Sequence, residues 1–413
     1  MYIKRDLEDQ IRVYLKKPEI LAIIGPRQSG KTTLLKEIAK PLKKAVYLNF
    51  EDRDILNLFN NDIKSFYNRY AQDSGYLLID EFQYAKNGGQ KLKYLFDTHW
   101  IKIIISGSSS LDLTHQAVKY LVGRIFIFYL FPLNFKEFLS YRRPDLYKNI
   151  YINGAKKIND FWENKRNSAP VFTKEVTGEF QKYYHEFTIF GGYPRVILAK
   201  NKNEKIMVLK NIYNTYFLRE IRDILQLSTE EELQKLIKAL ALQIGSVMKY
   251  NELSQITSLN YESLLKHLNI LEKTFVIKRV LPFCRNKRIE IAKVPKVFFW
   301  DNGFRNRAIN NFQDFEFRTD RGSLNENFIA GQLLKKELAI NYWRSKSKAE
   351  IDFVLERESG LTALEVKSTL RSNTAGRALL SFKEKYAPAK LLVASASYSA
   401  FDQPRNILFM PLF

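Results

Sequence analysis

The chain has 413 residues, 46% of them hydrophobic and 27% charged, which is about two to three times the size of a common domain, so more than one core is expected. Those proportions are ordinary for folded protein and exclude collagen-like, coiled-coil, mucin-like and long disordered readings. The formal net charge of +22 makes a polyanion such as nucleic acid a natural partner, with DNA ahead of RNA, although the same excess suits a lysine-rich solvated surface equally well.

The greasiest stretch, IFIFYLF at 125–131, stops at Pro132 and falls far short of the roughly 18 residues that span a bilayer. It reads as a buried strand. The opening MYIKRDLEDQ alternates charged with apolar residues and lacks the apolar stretch of a signal peptide, so the expected compartment is the cytoplasm, without membrane attachment. A lone thiol, Cys284, cannot form an internal disulfide and reads as packing.

Apolar runs at 20–24, 45–50, 76–79, 101–105 and 125–129 alternate with helical patterns, the signature of a parallel sheet covered by helices. Directly after the first run comes GPRQSGKTTLLKEIAK, in which Gly25, Gly30, Lys31 and Thr32 satisfy G-x-x-x-x-G-K-[ST] between a strand and a helix. The glycines let the backbone turn so that consecutive N–H groups face phosphate oxygens, and the following helix adds its positive end. Lys31 would reach the β- and γ-phosphates of ATP and Thr32 would give its hydroxyl to Mg²⁺. Pro26, Arg27, Gln28, Ser29 and Thr33 complete the predicted nucleotide-binding set. The run YLLIDE ends a buried strand in Asp80 and Glu81, expected respectively to hold Mg²⁺ through water and to act as general base.

The strand IKIIISGSSS closes on Ser106, Ser108, Ser109 and Ser110. Ser108 is a γ-phosphate sensor or simply a strand-ending serine. Arg124, in the Gly123-Arg124 turn, is the candidate arginine finger, supplied in the same chain or to a neighbouring copy, and Arg195 after GGYP is a weaker one. From 135 to 227 amphipathic helices dominate, interrupted by a polar segment at 164–174 and by Gly191-Gly192-Tyr193-Pro194; this reads as a helical lid. Two short helices follow, with Leu253 and Ile256 on one face of the first and Leu264, Leu265, Leu268 and Leu271 lining the second around a turn at 258–260. The solvent face of the second, with Glu262, Ser263, Lys266, Asn269 and Lys273, suits phosphate or protein contact better than base reading. His267 reads as structural.

In AEIDFVLERESGLTALEVKS, Asp352 lies on one strand and Glu365 and Lys367 on the next, joined by a turn at 358–360. A hairpin brings them together as a hard oxygen site for Mg²⁺ or Mn²⁺ beside a lysine. Glu326, on the preceding helix, is a further carboxylate. Three readings stay open: a charged hairpin, a metal site that serves only binding, and active cleavage.

The phosphate loop, the LIDE box, the SGSS strand end, the GR turn, the F-P-L-x-F-x-E-F stretch at 131–138 and GGYP together resemble an archaeal and bacterial family of AAA+ P-loop ATPases. The resemblance extends over YFLREI at 216–221 and KVFFWDNGF to the E-x-D-F…E-V-K segment. This chain carries Arg219-Glu220-Ile221 before Asp223 where the family has an Arg-Asp pair. Asp352, Glu365 and Lys367, with Glu326, are similar to the PD-(D/E)xK restriction-endonuclease-like superfamily, with Ile351 where a proline usually precedes the Asp. The resemblance implies an α/β chain: a P-loop NTPase core (1–150) of AAA+ type with a helical lid (151–227), a winged helix and linker (228–323), and a restriction-endonuclease-like domain (324–413). It further implies ATP and Mg²⁺ as cofactors, a second Mg²⁺ or Mn²⁺ at the C-terminal site, nucleic acid as partner and a homo-oligomer.

Overall fold

The computed structural model describes residues 2–108, 119–163, 165–225, 230–396 and 398–413. It divides into two compact units, Met1–Leu133 with Lys273–Phe275, and Asn134–Glu272 with Val276–Phe413. This division groups the chain by compactness alone and leaves the boundaries near 150, 228 and 324 as a proposed subdivision. No helix among the described residues is long and apolar enough to cross a membrane.

The first unit holds five strands, β1 (Ile20–Gly25), β2 (Ala45–Asn49), β3 (Tyr76–Asp80), β4 (Lys102–Ser108) and β5 (Ile125–Tyr129). They are all parallel, in the order β2-β3-β4-β1-β5. Side chains alternate between faces along a strand, and both faces here are apolar. Ile20, Ala22 and Ile24 pack with Phe59, Phe66 and Leu92 on one side, while Leu21 and Ile23 pack with Ile11, Leu34 and Ile38 on the other. Helices on both faces therefore explain why the runs are continuous rather than alternating. The sheet is thus an α/β sandwich whose strands all end on one edge.

The second unit begins with helices. Asn134 and Glu137 form a reciprocal capping box that starts Phe135–Arg142, and Phe135 and Phe138 pack edge-on and tilted against Phe187. The F-P-L-x-F-x-E-F stretch is thereby a helix start and an aromatic anchor. Two helices, Tyr250–Thr257 and Tyr261–Lys273, meet at Ser258, whose φ of 59° makes the turn. Leu253, Leu264, Leu268 and Leu271 are buried as expected, but Ile256 is 45% exposed and Thr257 is buried in its place, because the helix ends at Thr257 and rotates that residue inward. His267 is buried with Nδ1 2.7 Å from the Ser263 carbonyl oxygen. An antiparallel pair follows, β6 (Ile277–Val280) and β7 (Lys296–Phe299).

The chain ends in a mixed six-stranded sheet of β8 (Asn341–Arg344), β9 (Glu350–Arg357), β10 (Gly360–Lys367), β11 (Lys390–Ser395), β12 (Ala400–Asp402) and β13 (Ile407–Pro411). Its order is β12-β13-β11-β10-β9-β8. β8, β9 and β10 run antiparallel, whereas β10, β11 and β13 are parallel, the helix Arg377–Tyr386 making the expected crossover between β10 and β11. The short strands β12 and β13 were not expected, although β13 carries the apolar run ILFM.

The GGYP segment does not stand apart as a lid motif. Gly192 N–H donates to Asp301 Oδ2 at 2.7 Å. A side chain on Gly191, whose φ is 76°, would overlap the same carboxylate, and one on Gly303 would overlap the Phe190 carbonyl. The two glycine motifs GGYP and DNG thus exist to let two backbone segments of one core touch. Arg195 is exposed on the short helix that follows. Beside them Arg305 and Arg318, both 2% exposed, share Asp320. Burial alone would raise the Asp320 carboxyl, but the two guanidinium groups outweigh it and bring it down to about 2. Of the YFLREI motif, the side chains of Tyr216, Phe217, Arg219 and Glu220, like that of Asp223, lie outside the described residues.

Candidate functional site

β1 ends at Gly25, and the loop to the helix Lys31–Ala39 is built by two left-handed residues, Gln28 (φ 60°) and Gly30 (φ 99°). Gly25 is dictated by space, since any Cβ would overlap the Leu130 carbonyl oxygen. The nine-residue helix begins without a side-chain cap and without an acid in its first turn, so its first amides and positive end stay available to an anion. Lys31 is 5% exposed, its ammonium donating to the carbonyls of Gly25 (2.9 Å) and Pro26 (3.0 Å). Pro26 and Ser29 are buried, Arg27, Gln28 and Thr32 half-buried, and Thr33 exposed. The Ser29 hydroxyl is enclosed with no hydrogen-bond partner. From outside the loop, buried Arg5 donates to the carbonyls of Ser29 (2.8 Å) and Phe131 (2.6 Å), clamping it to the end of β5.

The registers bring the acids to the same sheet edge, because Gly25 pairs with Ser108 and Ile79 with Ile105. Asp80 is fully buried and accepts from Tyr47 Oη (2.9 Å), from Glu81 N–H (3.1 Å) and from the Ser106 hydroxyl. Burial, and next the Asp80 charge, push the Tyr47 phenol well above its ordinary range, so it stays a donor. Glu81 has a left-handed φ of 54° and accepts from Gln83 Nε2, while Gln83 Oε1 takes the Ser108 N–H at 3.3 Å. Gln83 therefore ties Glu81 to the end of β4. Ser108 is buried there; Ser109 and Ser110 lie outside the described residues.

Arg124 is not brought to this edge. It precedes β5, with its carbonyl bonded to Ile20 N–H at the start of β1, about 16 Å of strand from Gly25. Its guanidinium pairs with Asp97 at 2.9 Å on the surface. As a finger for its own chain's loop it is excluded, because every strand here runs the same way and Arg124 sits at the opposite end.

In the second unit the hairpin of β9 and β10 turns at Gly360 (φ 108°). It brings Asp352 against β10, where Asp352 Oδ2 accepts the Val366 N–H at 2.7 Å, and Lys367 to 2.6 Å from Glu365 Oε1. Glu365 is 4% exposed, and its second oxygen is enclosed without a hydrogen bond. Glu326, on the helix Arg321–Lys335, belongs to the same cluster. Burial, then the charge of Asp352, pushes its carboxyl up. Burial also pushes Asp352 up, against the Val366 N–H and the charge of Lys296.

Lys296, at the start of β7, was not anticipated. It is 1% exposed, contacts Glu350 Oε1, lies 4.0 Å from Glu326 Oε2 and stands over the Tyr342 ring at 5.3 Å. The signal was present as a lysine opening the otherwise apolar run KVFFW. The oxygen donors are of the hard type that suits Mg²⁺ or Mn²⁺, but they are drawn onto ammonium groups. Among the described residues, no three acidic, His or Cys side chains are arranged to hold a metal ion. The expected metal set of Glu326, Asp352 and Glu365 is thus a neighbourhood rather than a formed coordination site. Tyr47, Gln83 and Arg5 were likewise missed, as was the bond of the strand-end Ser106 to Asp80, and of these residues only Gln83, two residues after Glu81, lay close enough in sequence to be suspected.

A parallel sheet ending in a glycine-built loop, an uncapped helix, a buried lysine and a strand-end Asp-Glu pair defines a P-loop NTPase domain. Residues 17–139 match the model of an AAA domain. Residues 181–314 and 321–413 match two domains of unknown function, DUF8612 and DUF4143. Over 423 aligned residues the chain is 25% identical to an uncharacterized protein of Haemophilus influenzae, covering 96% of this chain and 94% of that one. It is 24% identical over 370 residues to the uncharacterized protein MJ1544 of Methanocaldococcus jannaschii, with 86% and 76% covered. Among solved structures, Drosophila ORC bound to DNA aligns with 67% of this chain and 86% of its own at 13% identity and a TM-score of 0.27, too low to carry any argument.

Proposed function

We propose that the protein is a cytoplasmic ATPase that binds ATP with Mg²⁺ at the loop of residues 25–33 and couples this cycle to a nucleic-acid-binding second unit. The observation that carries the reading is the Lys31 ammonium resting on the carbonyls of Gly25 and Pro26 below an uncapped helix start. That is a cation held in reserve for an anion. In the reaction, Lys31 exchanges the loop carbonyls for phosphate oxygens and the loop amides hold the β-phosphate. Thr32 and, through water, Asp80 would hold Mg²⁺, which would supply neutralisation of the phosphate charge. Glu81 orients a water and accepts its proton as the water oxygen bonds to the γ-phosphorus and the bond to the bridging oxygen breaks. Tyr47 and Ser106 fix the Asp80 carboxylate, and Ser108 is positioned to sense the γ-phosphate. Arg124 serves only a neighbouring copy, in a homo-oligomer.

For the second unit, the helix pair at 250–273 with β6 and β7 is read as a winged helix, and the sheet from β8 to β13 as a restriction-endonuclease-like fold that takes DNA more readily than RNA. The sharp form of the reading is phosphodiester cleavage by Asp352, Glu365 and Lys367 with Mg²⁺ or Mn²⁺. The second form, a nucleotide-controlled switch that grips nucleic acid without cutting, is favoured by one observation: Lys296 and Lys367 already engage the carboxylates. Incubation of the full chain with single- and double-stranded DNA and RNA, with and without ATP and Mg²⁺, tests both. Salt-sensitive retention without nicking supports the switch; nicking lost in Glu365→Ala and Lys367→Ala supports cleavage; ATP turnover with no retention on either acid refutes the nucleic-acid reading.

A further inference from the structure

Buried charge is costly unless it is paired, and the carboxylate cluster of the second unit is paired from within. Glu326 comes from a helix, Glu350 and Asp352 from β9, and Glu365 from β10. Against them stand Lys367 on Glu365, Arg344 at the rim 3.6 Å from Glu350, and Lys296 between Glu350 and Glu326. Of the three cations Lys296 alone is fully enclosed, since Lys367 and Arg344 are 42% and 40% exposed. A solvated lysine bonds water on all three hydrogens, so one at 1% exposure has exchanged that water for these carboxylates and the Tyr342 ring. Its charge is felt by Glu326 and Asp352 alike, lowering both against the burial that raises them. Lys296 does not belong to the hairpin that carries the Asp and the Glu-x-Lys; it enters from β7, in the neighbouring antiparallel pair.

We propose that Lys296 is the built-in counter-ion of this cluster, an ammonium that does the electrostatic work of a divalent cation and keeps the site closed to one. The inference rests on reading these carboxylates as a nuclease-like cluster. The negative groups still outnumber the cations, and the enclosed Glu365 oxygen has no partner, so the cluster retains hard donors for a metal once the ammonium is gone. Glu326 and Glu350 would turn from Lys296 to that metal, and Asp352 and Glu365 would face it from the hairpin.

The test is a titration of nucleotide-free full-length protein with Mn²⁺, followed by calorimetry and by the loss of free-Mn²⁺ electron paramagnetic resonance signal. Lys296→Gln should bind one Mn²⁺ more tightly than the wild type by at least about tenfold, the scale of removing one like charge at this range. Lys296→Arg should behave as wild type, and Glu365→Gln added to Lys296→Gln should remove the gain. Equal Mn²⁺ binding by wild type and Lys296→Gln overturns the counter-ion role while leaving the cluster a metal site. No binding by either overturns both. If Lys296→Gln does not fold alone, Mn²⁺ should restore its thermal transition while Lys296→Arg melts normally without metal; absence of rescue overturns the proposal.

Discussion

The strand ends of the first unit and the carboxylate cluster of the second each gather a buried lysine with acids, yet the two lysines are held in different ways. At the phosphate loop Lys31 is held by neutral carbonyls of its own loop, and the nearby Asp80 is satisfied by Tyr47, Ser106 and an amide. These carbonyl contacts hold the ammonium beside the start of the helix Lys31–Ala39. In the second unit Lys296 reaches the carboxylate cluster from β7 and is held by Glu350 and Glu326. Under the proposals above, the same residue type in a buried setting is a receptor in one unit and a plug in the other.

The largest expected effects come from one acid in each unit. Glu81→Gln keeps the loop and should bind ATP as the wild type does, while turnover falls by about 10²- to 10⁴-fold, read by phosphate release against fluorescent-nucleotide binding. Asp320→Asn strips the shared partner from two buried arginines and should cost about 3–5 kcal/mol in urea unfolding. The same carboxylate sets an acid dependence. Because its folded value of about 2 lies below its ordinary 3.8, the unfolded chain binds the extra proton between them. The stability it contributes is complete above about pH 4 and lost as pH falls toward 2. Asp320→Asn should therefore show a flatter loss of urea midpoint over that window.

Smaller effects sharpen the picture. Gln83→Ala releases Glu81 from the end of β4 and should raise basal ATP turnover by about two- to tenfold with nucleotide binding unchanged; a fall in turnover would mean that Gln83 orients rather than restrains. Arg124→Ala removes one exposed ion pair with Asp97 and should shift stability by less than about 1 kcal/mol, leaving the turnover of dilute, monomeric protein unaltered. A loss of turnover there would contradict its position at the far end of the sheet.

Local signals were readable and long-range ones were not. The five strands of the first unit, the loop from Gly25 to Thr32, the helix turn at Ser258 and the hairpin turning at Gly360 all rest on short spacings, and each is present. Whether Arg124 could reach its own chain's loop was not legible, because which end of a strand a residue occupies depends on register against strands 100 residues away. GGYP and DNG were seen as separate motifs since nothing in either names the other as its contact. Ile256 was assigned inward from periodicity, but the helix ends one residue later and Thr257 takes the buried place. Lys296 sits 30 to 69 residues from Glu326 and Glu365, and only the fold could bring it among them.

The claim on which the rest stands is that Lys31 is an anion receptor. Calorimetric titration of the wild type and Lys31→Ala with ATP and Mg²⁺ tests it most directly. The wild type should bind with a one-to-one stoichiometry and release phosphate, and Lys31→Ala should lose turnover by at least about a hundredfold together with most of its affinity. ATP bound and hydrolysed equally well by Lys31→Ala would contradict the account.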